Sequence, residues 1–192
     1  MINERQIINN EHEANFATNT LAVYILTKSF IPILTQNQPA RVFTTSSGGM
    51  YNVKLDPDDF NSTQMRSFNG DLVYAQNKRQ QVVMAERFAS QHPSIYFATW
   101  HPGWVDTPAV RSAMPSFYSK MQSRLRTPEQ GADTLVWLCC LKDIAQKYPN
   151  GEFFQDRSIV SKHLPLAWTK STLEEDERLM SNLDQLYQKY ST

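Results

Sequence analysis

Apolar residues recur near helical spacing in the first part of the chain, where Ala17, Leu21, Tyr24, Ile25 and Ile31 share one face of a helix predicted from about residue 12 to 36. Pro32 should kink or loosen its end, because proline lacks an N–H and crowds the preceding turn. The pattern then changes. Residues 41–46, Arg-Val-Phe-Thr-Thr-Ser, are a β-branched and aromatic run followed at once by Ser47, Gly48 and Gly49, as in a buried parallel strand that delivers side chains to a site at its carboxyl end. A polar connection rich in Asp, Asn and Ser fills 50–70. Helical spacing returns from about 72 to 91, with Ala75, Val82, Ala85 and Ala89 on one face and Pro93 marking the end. Residues 94–100 read as a second strand, running into His101-Pro-Gly-Trp-Val-Asp-Thr107, whose proline and glycine stop it and expose backbone.

Farther on, residues 106–125 carry Met114, Phe117, Tyr118, Met121 and Leu125 without strand alternation. Thr127-Pro-Glu-Gln has the order of a helix start, a capping hydroxyl before a proline and an early acid, and leads into 132–141. Residues 151–155 should be the last strand. The tail from Ser171 opens with Glu174, Glu175 and Asp176 and carries Leu179, Leu183, Leu186 and Tyr190, an amphipathic helix with acids at its positive end. No internal repeat, low-complexity tract or second domain is visible.

The candidate chemistry lies on the second helix. Tyr74-Ala-Gln-Asn-Lys78 puts a phenol and an ammonium four residues apart, on one face. A nearby cation favours the phenolate, so Lys78 should lower the pKa of Tyr74 and fit it for proton exchange with a substrate hydroxyl or carbonyl. Ser47 at a strand end, Asn19 on the first helix, and Pro102-Gly-x-Val-x-Thr107 complete an ordered set. Asn, Ser, Tyr and Lys in that order, followed by the proline-glycine turn, make the chain resemble the classical short-chain dehydrogenases/reductases over nearly its whole length. The long interval from Ser47 to Tyr74 is similar to the retinol-dehydrogenase-like branch. The resemblance implies an α/β fold, the C-terminal half of a doubly wound Rossmann-like parallel sheet with about three strands and flanking helices. It implies that Tyr74 is the general acid/base, that Lys78 lowers its pKa and holds the cofactor ribose, that Ser47 positions the substrate oxygen, and that Asn19 anchors a water linking Lys78 to solvent. Pro102, Gly103, Val105 and Thr107 would lie against the nicotinamide of NAD or NADP, and 106–125 would be a flap over a small-molecule carbonyl or alcohol.

The same resemblance exposes a gap. Six glycines occur, at 48, 49, 70, 103, 131 and 151, and none forms the Gly-x-x-x-Gly-x-Gly turn that meets the pyrophosphate. Asn9-Asn10 is followed by Glu11-His12 and does not supply the family's Asn-Asn-Ala-Gly. The expectation is that residues 1–192 are a single partial domain lacking its amino-terminal dinucleotide-binding half, about a hundred residues, and that Met1 is an internal or alternative start. Two readings follow: the catalytic half of an oxidoreductase, or a non-catalytic interaction or regulatory form of the same family. Loss of the pairing partner of strand 41–46 would favour self-association.

Composition narrows the alternatives. The 192 residues are 41% hydrophobic, enough for a core, and 19 basic and 19 acidic side chains leave no net charge and no footprint for nucleic acid. No span approaches 18 uninterrupted apolar residues, and the amino terminus lacks the order of a signal peptide. Cys139-Cys140 cannot readily pair with each other and read as small buried hydrophobes in a reducing, cytoplasmic compartment. Ser47, His101 and Asp106 do not form a nucleophile elbow. Four scattered histidines and the Asp56, Asp58, Asp59 cluster lack the spacing of a metal site.

Overall fold

The computed structural model describes residues 1–190. It opens with a hairpin absent from the predicted elements, β1 (Ile7–Ile8) antiparallel to β2 (His12–Glu13). Its signal is Asn9-Asn10. Both residues take left-handed φ, 51° and 57°, and the Glu11 N–H donates to the Ile8 carbonyl at 3.0 Å, as the primed hairpin turn that asparagine tolerates requires. Glu13 then starts the first helix, its carboxylate accepting from the Phe16 N–H at 2.9 Å. That helix runs through α1 (Ala14–Phe16), one π-turn (Ala17–Leu21) and α2 (Ala22–Gln36). Pro32 lies inside it without ending it.

The predicted strand and helix order follows. β3 (Ala40–Thr45) leads through a 3₁₀ turn (Gly48–Asn52) and the polar connection to α3 (Gly70–Gln91), capped by Asn69, which accepts from the Leu72 N–H at 3.1 Å. Next come β4 (Ile95–Trp100), the short helices α4 (Pro108–Ala113) and α5 (Pro115–Met121), and α6 (Pro128–Cys140). Thr127 supplies the capping hydroxyl expected of Thr-Pro-Glu-Gln, and Gln130 makes it a reciprocal capping box. α7 (Ile144–Lys147), β5 (Glu152–Gln155), β6 (Ser158–Ile159) and α8 (Leu173–Tyr190) complete the chain.

The main sheet has the order β3-β4-β5-β6. β3 pairs in parallel with β4 from Ala40↔Ile95 to Thr45↔Trp100, β4 pairs in parallel with β5, and β6 folds back antiparallel as a short addition to the three predicted strands. β4 is buried at all six positions, as a central strand covered on both faces should be. One core joins Phe16, Tyr24, Phe88, Phe97, Leu179 and Leu183, so the first helix, α3, β4 and α8 share an interior. The Tyr24 hydroxyl donates to Asp184 at 2.7 Å and ties α2 to α8.

Two surface features differ from expectation. Cys139 and Cys140 are free but exposed, because α6 turns Gly131, Thr134 and Leu138 inward and the next two positions rotate off that face. By length and composition, the helix Ala14–Gln36 reaches what a membrane crossing needs, which a count of uninterrupted apolar residues passes over. In this fold it buries Phe16, Leu21 and Tyr24 and leaves Leu26, Phe30 and Ile33 exposed.

Arg79 is the largest fully buried side chain. Its guanidinium donates to the carbonyls of Lys162 at 2.8 Å and Met50 at 2.7 Å, so one cation closes two loops over α3. Arg79→Ala leaves both carbonyls unpaired and opens a cavity; a loss of about 3 kcal/mol in urea-unfolding stability is expected. Wild-type stability in that variant would show that the loops are held otherwise.

Candidate active site

The site forms at the carboxyl end of β3, where the strand leaves the sheet and α3 passes beneath it. Ser46 anchors this junction: its N–H donates to the Trp100 carbonyl at 2.8 Å and its hydroxyl to the Lys78 carbonyl at 2.9 Å. Ser47 is next in the chain, extended, with its oxygen accepting from the Gly49 N–H at 3.2 Å. Tyr74 and Lys78 rise from one face of α3, as their spacing predicts, and the Lys78 ammonium lies 5.3 Å from the centroid of the Tyr74 ring. Ser47 lies near enough to Tyr74 for its side chain to favour the phenolate. Three of the four expected catalytic residues therefore meet directly.

Asn19 joins them indirectly. It sits in the π-turn, its side-chain amide donating to the Asn15 carbonyl at 2.9 Å. Its own carbonyl accepts from Gln81 Nε2 at 2.6 Å, and Gln81 Oε1 accepts from Lys78 Nζ at 3.2 Å. Lys78 also donates to the Thr45 carbonyl at 2.9 Å. Gln81 was not singled out in the sequence, although it continues the face of Tyr74 and Lys78 by three residues.

Electrostatics correct one expectation. Burial raises the Tyr74 phenol above its ordinary value, outweighing the opposing effect of Ser47, and Lys78 does not lower it. The ammonium sits over the ring and spends its hydrogen bonds on Thr45 and Gln81. Burial also pushes Lys78 down to about 8. Both shifts have one cause, desolvation, and both favour neutral forms.

The proline-glycine turn reaches the site through His101. A Cβ added to Gly48 would lie 3.1 Å from His101 Nε2, so the imidazole packs against Gly48, next in the chain to Ser47. The turn is held from below. Arg126 donates to the Pro102 carbonyl at 3.2 Å and to Asp156 at 2.6 Å and 2.9 Å. Val105 is buried against Gly131, where any Cβ would meet it at 2.6 Å, and Thr107 caps α4 through the Val110 N–H at 3.2 Å. In this structure Val105 and Thr107 thus have packing and capping duties, while Pro102 and Gly103 form the turn itself. No group of histidine, cysteine and acidic side chains suited to a metal ion occurs among the described residues.

His101 carries a pH prediction. Burial first, then the Arg126 charge, against the opposing pull of Asp156, pushes its pKa from 6.5 to about 4, and its Nδ1 has no hydrogen-bond partner among the described residues. The unfolded chain therefore binds a proton more readily than the folded one between these values. Stability should fall as pH drops through that window, by up to about 3 kcal/mol from this residue. Urea unfolding at about pH 7 and about pH 4.5 should show a smaller acid loss in His101→Gln than in the wild type; equal losses would reject the assignment.

Over 190 residues the chain is 51% identical to dehydrogenase/reductase SDR family member 12 of Homo sapiens, a match covering 99% of this chain and 59% of that protein. The chain belongs to the short-chain dehydrogenase/reductase family. It is also 26% identical over 152 residues to retinol dehydrogenase 14 of Mus musculus, covering 75% of this chain and 44% of that relative. Among solved structures, a crystal structure of a Mycobacterium paratuberculosis protein superposes with a TM-score of 0.62 at 16% identity, over 96% of this chain and 62% of that one. A protein described as a short chain dehydrogenase/reductase family protein superposes with a TM-score of 0.54 at 14% identity, over 80% of this chain and 60% of that one. No protein-family profile matches. The shared fold is the family's Rossmann-like α/β sheet, and this family member spans about three-fifths of the length of the human relative.

Proposed function

We propose that this chain carries the catalytic half of an NAD(P)-dependent oxidoreductase acting on a small-molecule carbonyl or alcohol. The observation that supports it is the convergence of Ser47, Tyr74 and Lys78 at one strand end, with Asn19 tied to Lys78 through Gln81. The nicotinamide, when bound, supplies or accepts a hydride. In this reading Tyr74 gives its hydroxyl proton to the substrate oxygen in reduction and takes it back in oxidation, and Ser47 donates a hydrogen bond to that oxygen. Lys78 is the residue suited to the cofactor ribose, being within reach of Tyr74 and held at the strand end. Pro102, Gly103, Val105 and Thr107 form the wall suited to the nicotinamide.

The residues fit one end of the dinucleotide only. Nothing in the sequence offers the glycine turn for the pyrophosphate. Residues 1–192 are therefore read as one partial unit, with the phosphate-binding element supplied from outside them. The two free cysteines fit a reducing, cytoplasmic setting. The test is NADH and NADPH consumption with a panel of aldehydes and ketones, using a version extended to the relatives' full length. No turnover with any of them would count against the reading.

Self-association is part of this proposal. Among the described residues β3 has a strand partner on one side only, and α2 leaves Leu26, Phe30 and Ile33 exposed. Sedimentation of the chain at micromolar concentration should show species larger than a monomer. A single monomeric boundary would reject this.

A further inference from the structure

We propose that Gln81 is a positioning residue for Lys78, its side-chain amide linking the ammonium to the Asn19 carbonyl where the family resemblance places a water. The inference rests on the oxidoreductase reading for its importance, but not for its geometry. Gln81 is only 3% exposed and satisfies both ends of its amide, Oε1 accepting from Lys78 Nζ at 3.2 Å and Nε2 donating to the Asn19 carbonyl at 2.6 Å. The amide cannot be turned round, since an ammonium only donates and a carbonyl only accepts. Together with the Thr45 carbonyl, 2.9 Å from Nζ, it fixes where the ammonium sits and keeps it off the Tyr74 hydroxyl.

The chemical consequence differs from that of a water. A water can take a proton on one lone pair and release another, so it relays. An amide accepts at oxygen and donates at nitrogen, and passing a proton through it would require an imidic acid tautomer. The donor direction runs from Lys78 through Gln81 to Asn19 and ends there, at a group that can only accept. Gln81 therefore holds Lys78 and closes this route for its proton. Proton exchange at Tyr74 and Lys78 must use the open side of the site, toward Ser47 and the turn that begins at His101. Asn19 keeps a place in the network as the fixed end of the amide.

The test follows the titration of Lys78 itself, by NMR of lysine side chains labelled at Cε, with the Lys78 signal assigned by its loss in Lys78→Met. Gln81→Glu places a carboxylate at the acceptor position and should raise the Lys78 midpoint by roughly one unit or more. Gln81→Leu removes the acceptor while keeping much of the volume, and should lower the midpoint. A merely structural Gln81 would change stability in these variants and leave the midpoint where it is. If Gln81→Leu does not fold, Gln81→Glu alone decides. An unmoved Lys78 midpoint in a folded Gln81→Glu variant overturns the proposal. Since no cofactor or turnover enters the measurement, failure of the oxidoreductase reading would leave these shifts intact, and the two failures can be told apart.

Discussion

Tyr74→Phe, in a version of this chain extended to the full length of its relatives, is expected to lower carbonyl reduction by about 10²–10⁴-fold while the fold stays intact. The change deletes one hydroxyl and keeps the half-buried ring, so its packing and its contact with the Lys78 ammonium at 5.3 Å survive. Substrate binding should be little altered, because Ser47 still offers a hydrogen bond to the substrate oxygen. The loss should therefore fall on kcat more than on KM, as expected for a group that acts as the proton moves. The neighbouring groups are poorly placed to take over: the imidazole packed against Gly48 is neutral down to about pH 4 and carries no acidic proton to give, and the Lys78 ammonium is held by the Thr45 carbonyl and Gln81. Steady-state kinetics with a reducible aldehyde would decide it. Turnover at the wild-type rate would remove Tyr74 from the chemistry.

The order of elements was legible in the sequence because hydrophobic period and punctuation agreed. β4 is an apolar run broken only by Thr99 and ended by Pro102-Gly103, α3 is closed by Pro93, and α6 announces itself by Thr127-Pro-Glu-Gln. Where a single residue decides, the reading was weaker. The opening hairpin depends on left-handed Asn9 and Asn10, a turn signal with only two apolar residues before it. The π-turn at Ala17–Leu21 leaves no mark in a helical pattern, since one widened turn shifts the apolar face only slightly.

The site was legible by residue type and less so by electrostatics. Spacing placed Tyr74 and Lys78 on one face. It could not say that the ammonium would be claimed by the Thr45 carbonyl and Gln81, which leaves burial to dominate the phenol. Charge–charge effects read from a sequence assume that two groups address each other. In a folded site, hydrogen bonds to third groups decide that. His101 illustrates the same limit, because its contact with Gly48 joins two distant parts of the chain that meet only when β3 and β4 pair.

The second large effect concerns the cofactor and this chain as it stands. Dinucleotide affinity in this fold relies on a glycine turn that lets backbone approach the pyrophosphate, on a helix N-terminus aimed at it, and on a strand end for the adenosine ribose. The six glycines of this chain are otherwise engaged or misplaced: Gly48 lies against His101, Gly131 under Val105, Gly151 against Ala89, and none is spaced as a phosphate loop. On the proposed reading, what remains is Tyr74 and Lys78 for one ribose and the Pro102–Thr107 turn for the nicotinamide. Such contacts orient a bound cofactor but supply little of its affinity, because the doubly charged pyrophosphate is the group most in need of fixed donors. No saturable binding of NADH or NADPH up to about millimolar concentration is therefore expected, and no reductase activity, even with Ser47, Tyr74 and Lys78 in place. Titration of tryptophan fluorescence is a direct probe, since Trp104 is exposed at the end of the turn that would meet the nicotinamide. Micromolar saturation would show that the chain, alone or as an oligomer, provides its own phosphate site, and would make it an enzyme without help. Silence in the isolated chain, with binding in the extended version, would place the chemistry here and the affinity elsewhere. Silence in both would favour the non-catalytic, interaction-bearing form of the family.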